Sequence, residues 1–208
     1  MDLMQILQSQ LDDNVIGQLS EQIGAEPQQT AQAANGIFAT LLGGLANNAS
    51  SEGGLASLGM ALDKNHDGSV LDDLMGMVGT VMQGGGGSAA TNGAGILGHI
   101  LGDRQEVAAQ QISQSSGLNV GQVMKLLPVL APIVMGVLGR AKNQGGLDLG
   151  SLAGVLMGSA QNAQSGGFGD LIGSVLGGMM GGNQQQTQQQ GGGGLLGNIL
   201  GNIFGGRR

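Results

Sequence analysis

The residues with the clearest chemical potential lie between Asp63 and Asp72, in the run Asp-Lys-Asn-His-Asp-Gly-Ser-Val-Leu-Asp. Asp63, Asn65 and Asp67 place side-chain oxygens at alternate positions. Gly68 permits a sharp turn, the Ser69 carbonyl adds an oxygen, and Val70 anchors the loop. This is the first two thirds of a calcium loop of the EF-hand or dockerin type. The twelfth position is Leu74 rather than a bidentate Glu, so Asp72, at the start of the next helix, is the better substitute. Calcium held this way binds weakly, toward a Kd of roughly 0.1–1 mM. Magnesium keeps its waters and suits such a loop less. The expected ligand set is therefore Asp63, Asn65, Asp67, Ser69 and Asp72, with calcium as the cofactor. The same residues also make an ordinary metal-free turn, because Asn-x-Asp-Gly is turn chemistry and Ser69 with Asp72 can cap a helix. The corresponding stretch of the second half, Gln161 to Gly169, has no acid, and Asp170 there aligns with Asp73. Asp73 is thus expected to serve a helix start.

Little else in the chain is equipped for catalysis. Among 208 residues there is no cysteine, so disulfides and thiolate metal sites are excluded. His66 and His99 have no carboxylate or serine partner at a recognisable spacing, and a non-enzymatic role is expected. A net charge of -7 with 7 Lys plus Arg argues against tracking a nucleic-acid backbone. The partner class that remains is protein, either self or another chain, with no small-molecule substrate evident. The eleven methionines scatter through apolar segments and read as core filling.

The elements that must position these residues are helical. Asn14 to Ile23 and Pro27 to Asn47 show helical periodicity, and Pro27 suits a first helical position. Asp103 with Glu106 reads as a capping box for a helix ending at Gly117, and Asn119 with Gln122 opens a long helix to about Lys142. Asp148 and Asp170 suit two further helix starts. No segment alternates with period two, so the fold class is all-α. Glycine recurs every fourth residue, as at Gly150, Gly154 and Gly158, in stripes that allow close backbone approach within the fold or between copies.

The two halves resemble each other when Gly24 is placed on Gly117. Leu41-Leu42-Gly43 then meets Val134-Met135-Gly136, and Asp73-Leu74-Met75-Gly76 meets Asp170-Leu171-Ile172-Gly173 after a small shift. An internal duplication accounts for this. The expected organisation is a helical lobe with the calcium-like loop (1–82), a Gly/Ser linker (83–93), a second helical lobe (94–181), a flexible Gly/Gln linker (182–194) and a short amphipathic tail helix (195–208).

Several runs carry a family likeness. Gly95-Ile96-Leu97-Gly98-His99-Ile100-Leu101-Gly102, Gln111 to Leu118, and Lys125-Leu126-Leu127-Pro128-Val129-Leu130-Ala131-Pro132-Ile133-Val134-Met135-Gly136 resemble bacterial proteins of domain-of-unknown-function family 937, which are YidB-like. Ala61 to Leu74 shares the resemblance. It implies a small helical bacterial protein without assigned activity, and it supplies no catalytic residues.

Met1-Asp2-Leu3-Met4 lacks the cations of a secretory signal, so a cytoplasmic location is expected. The apolar run from Leu126 to Gly139 is shorter than a bilayer span and reads as a buried helix. In the tail, Leu195-Leu196, Ile199-Leu200 and Ile203-Phe204 form one stripe, followed by Arg207 and Arg208. That stripe suits docking on protein. A membrane surface is the alternative, although one short helix with two cations anchors weakly to lipid.

Overall fold

The computed structural model describes residues 2–65, 68–82, 91–146 and 148–165, with 169 and 173. Its helices are α1 (Leu3–Gln10), α2 (Asp13–Ile23), α3 (Pro27–Ala49), α4 (Glu52–Asn65), α5 (Leu74–Met82), α6 (Gly93–Ile100), α7 (Gln105–Ser116), α8 (Val120–Gly145) and α9 (Leu149–Ala163). Short 3-10 turns, Ser69–Asp73 and Gly102–Arg104, lead into α5 and α7. Every regular element among the described residues is helical, as the periodicity predicts.

Short polar side chains begin most of these helices by accepting bonds from otherwise unpaired amides. Asp12 accepts from the Val15 amide at 2.8 Å, Asp73 from Gly76 at 2.9 Å and Asp148 from Ser151 at 2.6 Å. Asn119 and Gln122 form the expected reciprocal capping box, with both bonds at 2.9 Å. Gly24 and Gly117 end α2 and α7 in left-handed conformations, with φ of 67° and 78°. The box expected from Asp103 and Glu106 does not form. Gly102, at φ 56°, turns the chain directly from α6 into a 3-10 turn, so α7 begins without an extended capping residue. Asn92 and Gly93, expected in the linker, instead cap and open α6, with the Asn92 side chain accepting from the Gly95 amide. The tail and the tract before it lie outside the described residues.

At the centre stands α8. Val123, Leu126, Leu127 and every residue from Val129 to Gly139 are buried, so the middle of the helix is enclosed around its whole circumference. Such enclosure requires the near-continuous apolar run that the sequence shows, with Lys125 and Arg140 at its margins. By length and composition Val120–Asn143 is apolar enough to cross a membrane, but here it is the core helix onto which most other helices pack. Phe38 is the one aromatic side chain in this core among the described residues; Leu, Ile, Val, Met and Ala supply the rest.

The two halves, expected as separate lobes, share that core. Helix α3 packs on α7, α8 and α9, while α1 packs on α8 and α9. The composition explains the merger. With small residues and almost no aromatics, one shared core buries a larger fraction of the apolar surface than two separate ones, since burial rises with the size of the unit.

Two prolines interrupt the hydrogen bonding of α8 without ending it. Pro132 has no N–H for the Pro128 carbonyl, its partner four residues back. Gly93 seats against that carbonyl: a Cβ there would lie 1.7 Å from the oxygen. A Cα hydrogen of Gly93 therefore faces the oxygen, a weak contact in place of the missing bond. Gly98, one turn along on the same helix, faces open space. Gly93→Ala is accordingly expected to destabilise the fold by more than about 1 kcal/mol. Gly98→Ala is expected to be neutral or stabilising by up to about 1 kcal/mol, the helical preference of alanine over glycine. Urea denaturation of both variants checks this, and equal effects would contradict the seating of α6.

The cap of α9 gives a pH prediction. The Ser151 amide, and then its side chain, hold the Asp148 carboxyl below its ordinary value of 3.8. A lowered folded pKa contributes stability that is present above the ordinary carboxylate range and lost as pH falls through the lowered value. Protection of the first-turn amides of α9, relative to the intrinsic exchange rate at each pH, should therefore fall on acidification below about pH 4. In Asp148→Asn, which keeps the acceptor but does not titrate, that acid sensitivity should vanish.

Candidate functional site

The loop after α4 is tied to the end of α8. Asp63, near the end of α4, pairs with Lys142. Asp72 Oδ1 accepts from Arg140 Nη2 at 2.6 Å, and the same nitrogen donates to the Gly68 carbonyl at 3.2 Å. Gly68 adopts φ 96°, where a side chain would be strained, and lies close against the Arg140 Cβ and the Gly136 carbonyl. Val70 packs on Gly136, so it anchors the loop as expected; a Cβ on Gly136 would meet Val70 Cγ1 at 2.5 Å.

Of the five expected ligands, then, Asp63 and Asp72 each face a cation of α8, and Ser69 opens the 3-10 turn. Asp67 and the side chain of Asn65 lie outside the described residues, as does His66. Among the described residues no three His, Cys, Asp or Glu side chains come together to hold a metal. Asp73 caps α5, the role its alignment with Asp170 suggests. Sequence reasoning missed the part played by Arg140 and Lys142. Their signal was present, since they are the cations that close the apolar run, but only the fold brings them across to residues about 70 positions earlier.

A second feature is a groove of about 470 Å³ between α4 and α6. Leu58, Ile96 and Met135 form its apolar floor, and Ser57 and Ala61 face Gly95 and His99 across it. Among the described residues no Asp, Glu, Lys or Arg lines it. The Asn48 side chain donates to the His99 carbonyl at 2.9 Å, tying the end of α3 to α6 at one margin. The volume falls within the range of ordinary ligand pockets, while the absence of charge suits an apolar occupant. His99 is exposed on this rim.

A third arrangement joins the halves. Gln122 Nε2 donates to the Gly24 carbonyl at 3.0 Å, and Gln29 Nε2 approaches the Gly117 carbonyl at 3.5 Å, the outer limit of a hydrogen bond. Each glutamine thus reaches the left-handed glycine that ends a helix of the opposite half. The pair Gly24 and Gln29 maps onto Gly117 and Gln122 in the same alignment that matches the two sequences.

An all-helical bundle wound on one enclosed helix is the class that this fold defines. Residues 5–141 match the model of a family described as bacterial protein of unknown function (DUF937), and the chain belongs to that family. The match runs from α1 into the last turns of α8. No curated protein and no solved structure shows significant similarity to the chain.

The loop contacts differ in kind, and salt separates them. The Asp72 side chain is 73% exposed, and exposed ion pairs contribute about 0–1 kcal/mol. Asp72→Asn should therefore cost less than about 1 kcal/mol in dilute buffer and almost nothing at about 1 M salt, where screening is strong. Arg140→Ala also loses the bond to the Gly68 carbonyl and the packing of its stem. It should remain destabilising at high salt, as thermal melting at two ionic strengths will show.

Proposed function

We propose that this protein works by binding, and that the α4–α6 groove accepts an uncharged amphipathic helix. The observation that carries this reading is the groove itself: an apolar floor of Leu58, Ile96 and Met135 between two helix walls, with no Asp, Glu, Lys or Arg lining it among the described residues. Small wall residues, Ala61 and Gly95, favour close approach of an incoming helix, the use to which stripes of small residues are put elsewhere. The chain carries a matching ligand in its own tail, whose apolar pairs at 195–196, 199–200 and 203–204 precede any charge. Such a helix, presented by another chain or a second copy, gives protein interaction or self-association. A membrane role for the tail would rely on Arg207 and Arg208 alone for attraction to lipid headgroups.

The test uses the full chain with its tail disabled by Leu196→Asp and Ile199→Asp, titrated into a labelled peptide of residues 194–208. Saturable binding is expected, weakened at least tenfold by Ser57→Arg, which sets bulk and charge on an exposed wall position. No binding at protein concentrations near 1 mM, the limit of weak recognition, would overturn the reading.

A second reading concerns calcium. We propose that the Asp63–Asp72 loop takes the metal only by exchange, with Asp63 and Asp72 leaving Lys142 and Arg140 for it. Gly68 holds the left-handed conformation that the sixth loop position demands, and both carboxylates are more than half exposed and so can be released. Neutralising the competing cations, as Arg140→Gln with Lys142→Gln, should then tighten calcium binding measured by calorimetry. No heat and no rise in melting temperature at about 10 mM calcium, in either protein, would remove the site.

A further inference from the structure

We propose that the occupant of the α4–α6 groove is the chain's own tail, Leu195 to Phe204, docked in cis; this rests on the binding reading above and names its ligand. The first support comes from comparing the halves. In chain order α1, α2, α3 and α4 take the places that α6, α7, α8 and α9 take in the second half, and the reciprocal bonds of Gln29 and Gln122 follow the same pairing. The groove between α4 and α6 therefore has a counterpart between α9 and α1. There the two helices close directly on each other, and the Leu3 amide donates to the buried Ser159 hydroxyl at 3.3 Å. The place that is shut in one arrangement is open in the other.

The second support is the ligand's own pattern. Ile96-Leu97-Gly98-His99-Ile100-Leu101 of α6 and Leu195-Leu196-Gly197-Asn198-Ile199-Leu200 of the tail share one order of apolar pairs, glycine and polar residue. In α6 all four of those apolar residues are buried. A segment so patterned is suited to the same kind of burial.

Reach and charge agree with docking in cis. Helix α9, the last among the described residues, packs against α4, one wall of the groove. By composition alone, thirteen residues of the Gly/Gln kind found at 182–194 allow a reach of about 20 Å, comparable to the radius of a domain this size. A tether of that kind sets an effective concentration in the millimolar range, which favours the tethered tail over a second copy in dilute solution. The docked stripe brings no charge into a groove whose described lining residues include no Asp, Glu, Lys or Arg. Arg207 and Arg208 follow it, and Glu52 is exposed beside Ser51 at one end of the site.

Because the natural chain has no cysteine, two can be placed without background. In the full chain, Ser57→Cys with Asn198→Cys, treated with a short bismaleimide at micromolar protein, should give an intramolecular cross-link. The yield should fall at least tenfold when Leu196→Asp and Ile199→Asp are added. In parallel, the labelled 194–208 peptide should bind the natural full chain at least tenfold more weakly than the tail-disabled chain. Cross-linked dimer as the main product assigns the groove to a second copy and overturns docking in cis. So does a cross-link yield unchanged by the tail substitutions, or a peptide affinity equal in the two chains. Binding that is equal but saturable leaves the groove a binding site and removes only its occupant; absence of binding to both removes the groove reading itself.

Discussion

Everything in this fold depends on enclosing one helix with side chains too small to span large gaps. The circumference of α8 is apolar, and its neighbours must come close enough to exclude water from Val, Leu, Ile and Ala rather than from aromatic rings. Burial of a leucine or valine side chain is worth roughly 1.5–3 kcal/mol, so many modest contributions replace a few large ones. Close approach is the geometric cost, and glycine meets it at defined points. At Gly44 a side chain would meet Ile100 Cγ2 at 2.7 Å, and at Gly93 it would strike the α8 backbone. The abundance of glycine is thus partly a record of where helices touch, and each contact forgoes some intrinsic helical stability.

The same constraint explains what could be read in advance. Strong local signals survived folding unchanged: the Asn119–Gln122 box, Pro27 at the head of α3, the left-handed stops at Gly24 and Gly117, and the caps at Asp148 and Asp73. Each depends on a few neighbouring residues and on backbone geometry that sequence alone specifies. The division into lobes was less legible, because the partner of an apolar face is not written into that face. Helix α1 shows the difficulty. Its buried Leu3, Met4 and Leu7 announce a core-facing stripe, yet nothing local directs them to α8 and α9. The start of α7 was missed for a related reason: Asp103 and Glu106 have capping-box spacing, but the 3-10 turn after Gly102 leaves no extended residue for the box to use.

At the loop, local chemistry and tertiary electrostatics meet. The pattern from Asp63 onward specified the turn and its anchor, and Gly68 and Val70 behave accordingly. It did not specify the counter-charges, which arrive from Arg140 and Lys142 on the central helix. The groove was harder still to foresee. Its walls belong to elements whose sequences look like ordinary amphipathic helices, and the space between them exists only because α4 and α6 stand apart.

The interlocking of the halves also governs how the molecule can be made. Helix α1 packs on α3 but also on α8 and α9, whose residues begin 110 positions after its end. At roughly 5–20 residues per second, the nascent chain waits several seconds or more before its first helix can be fully covered. During that interval Leu3, Met4, Leu7 and the apolar stripe of α3 emerge without the surface that will bury them. The core of such a chain closes as one late event rather than lobe by lobe, and the exposure of its early helices follows from their order rather than from its final stability.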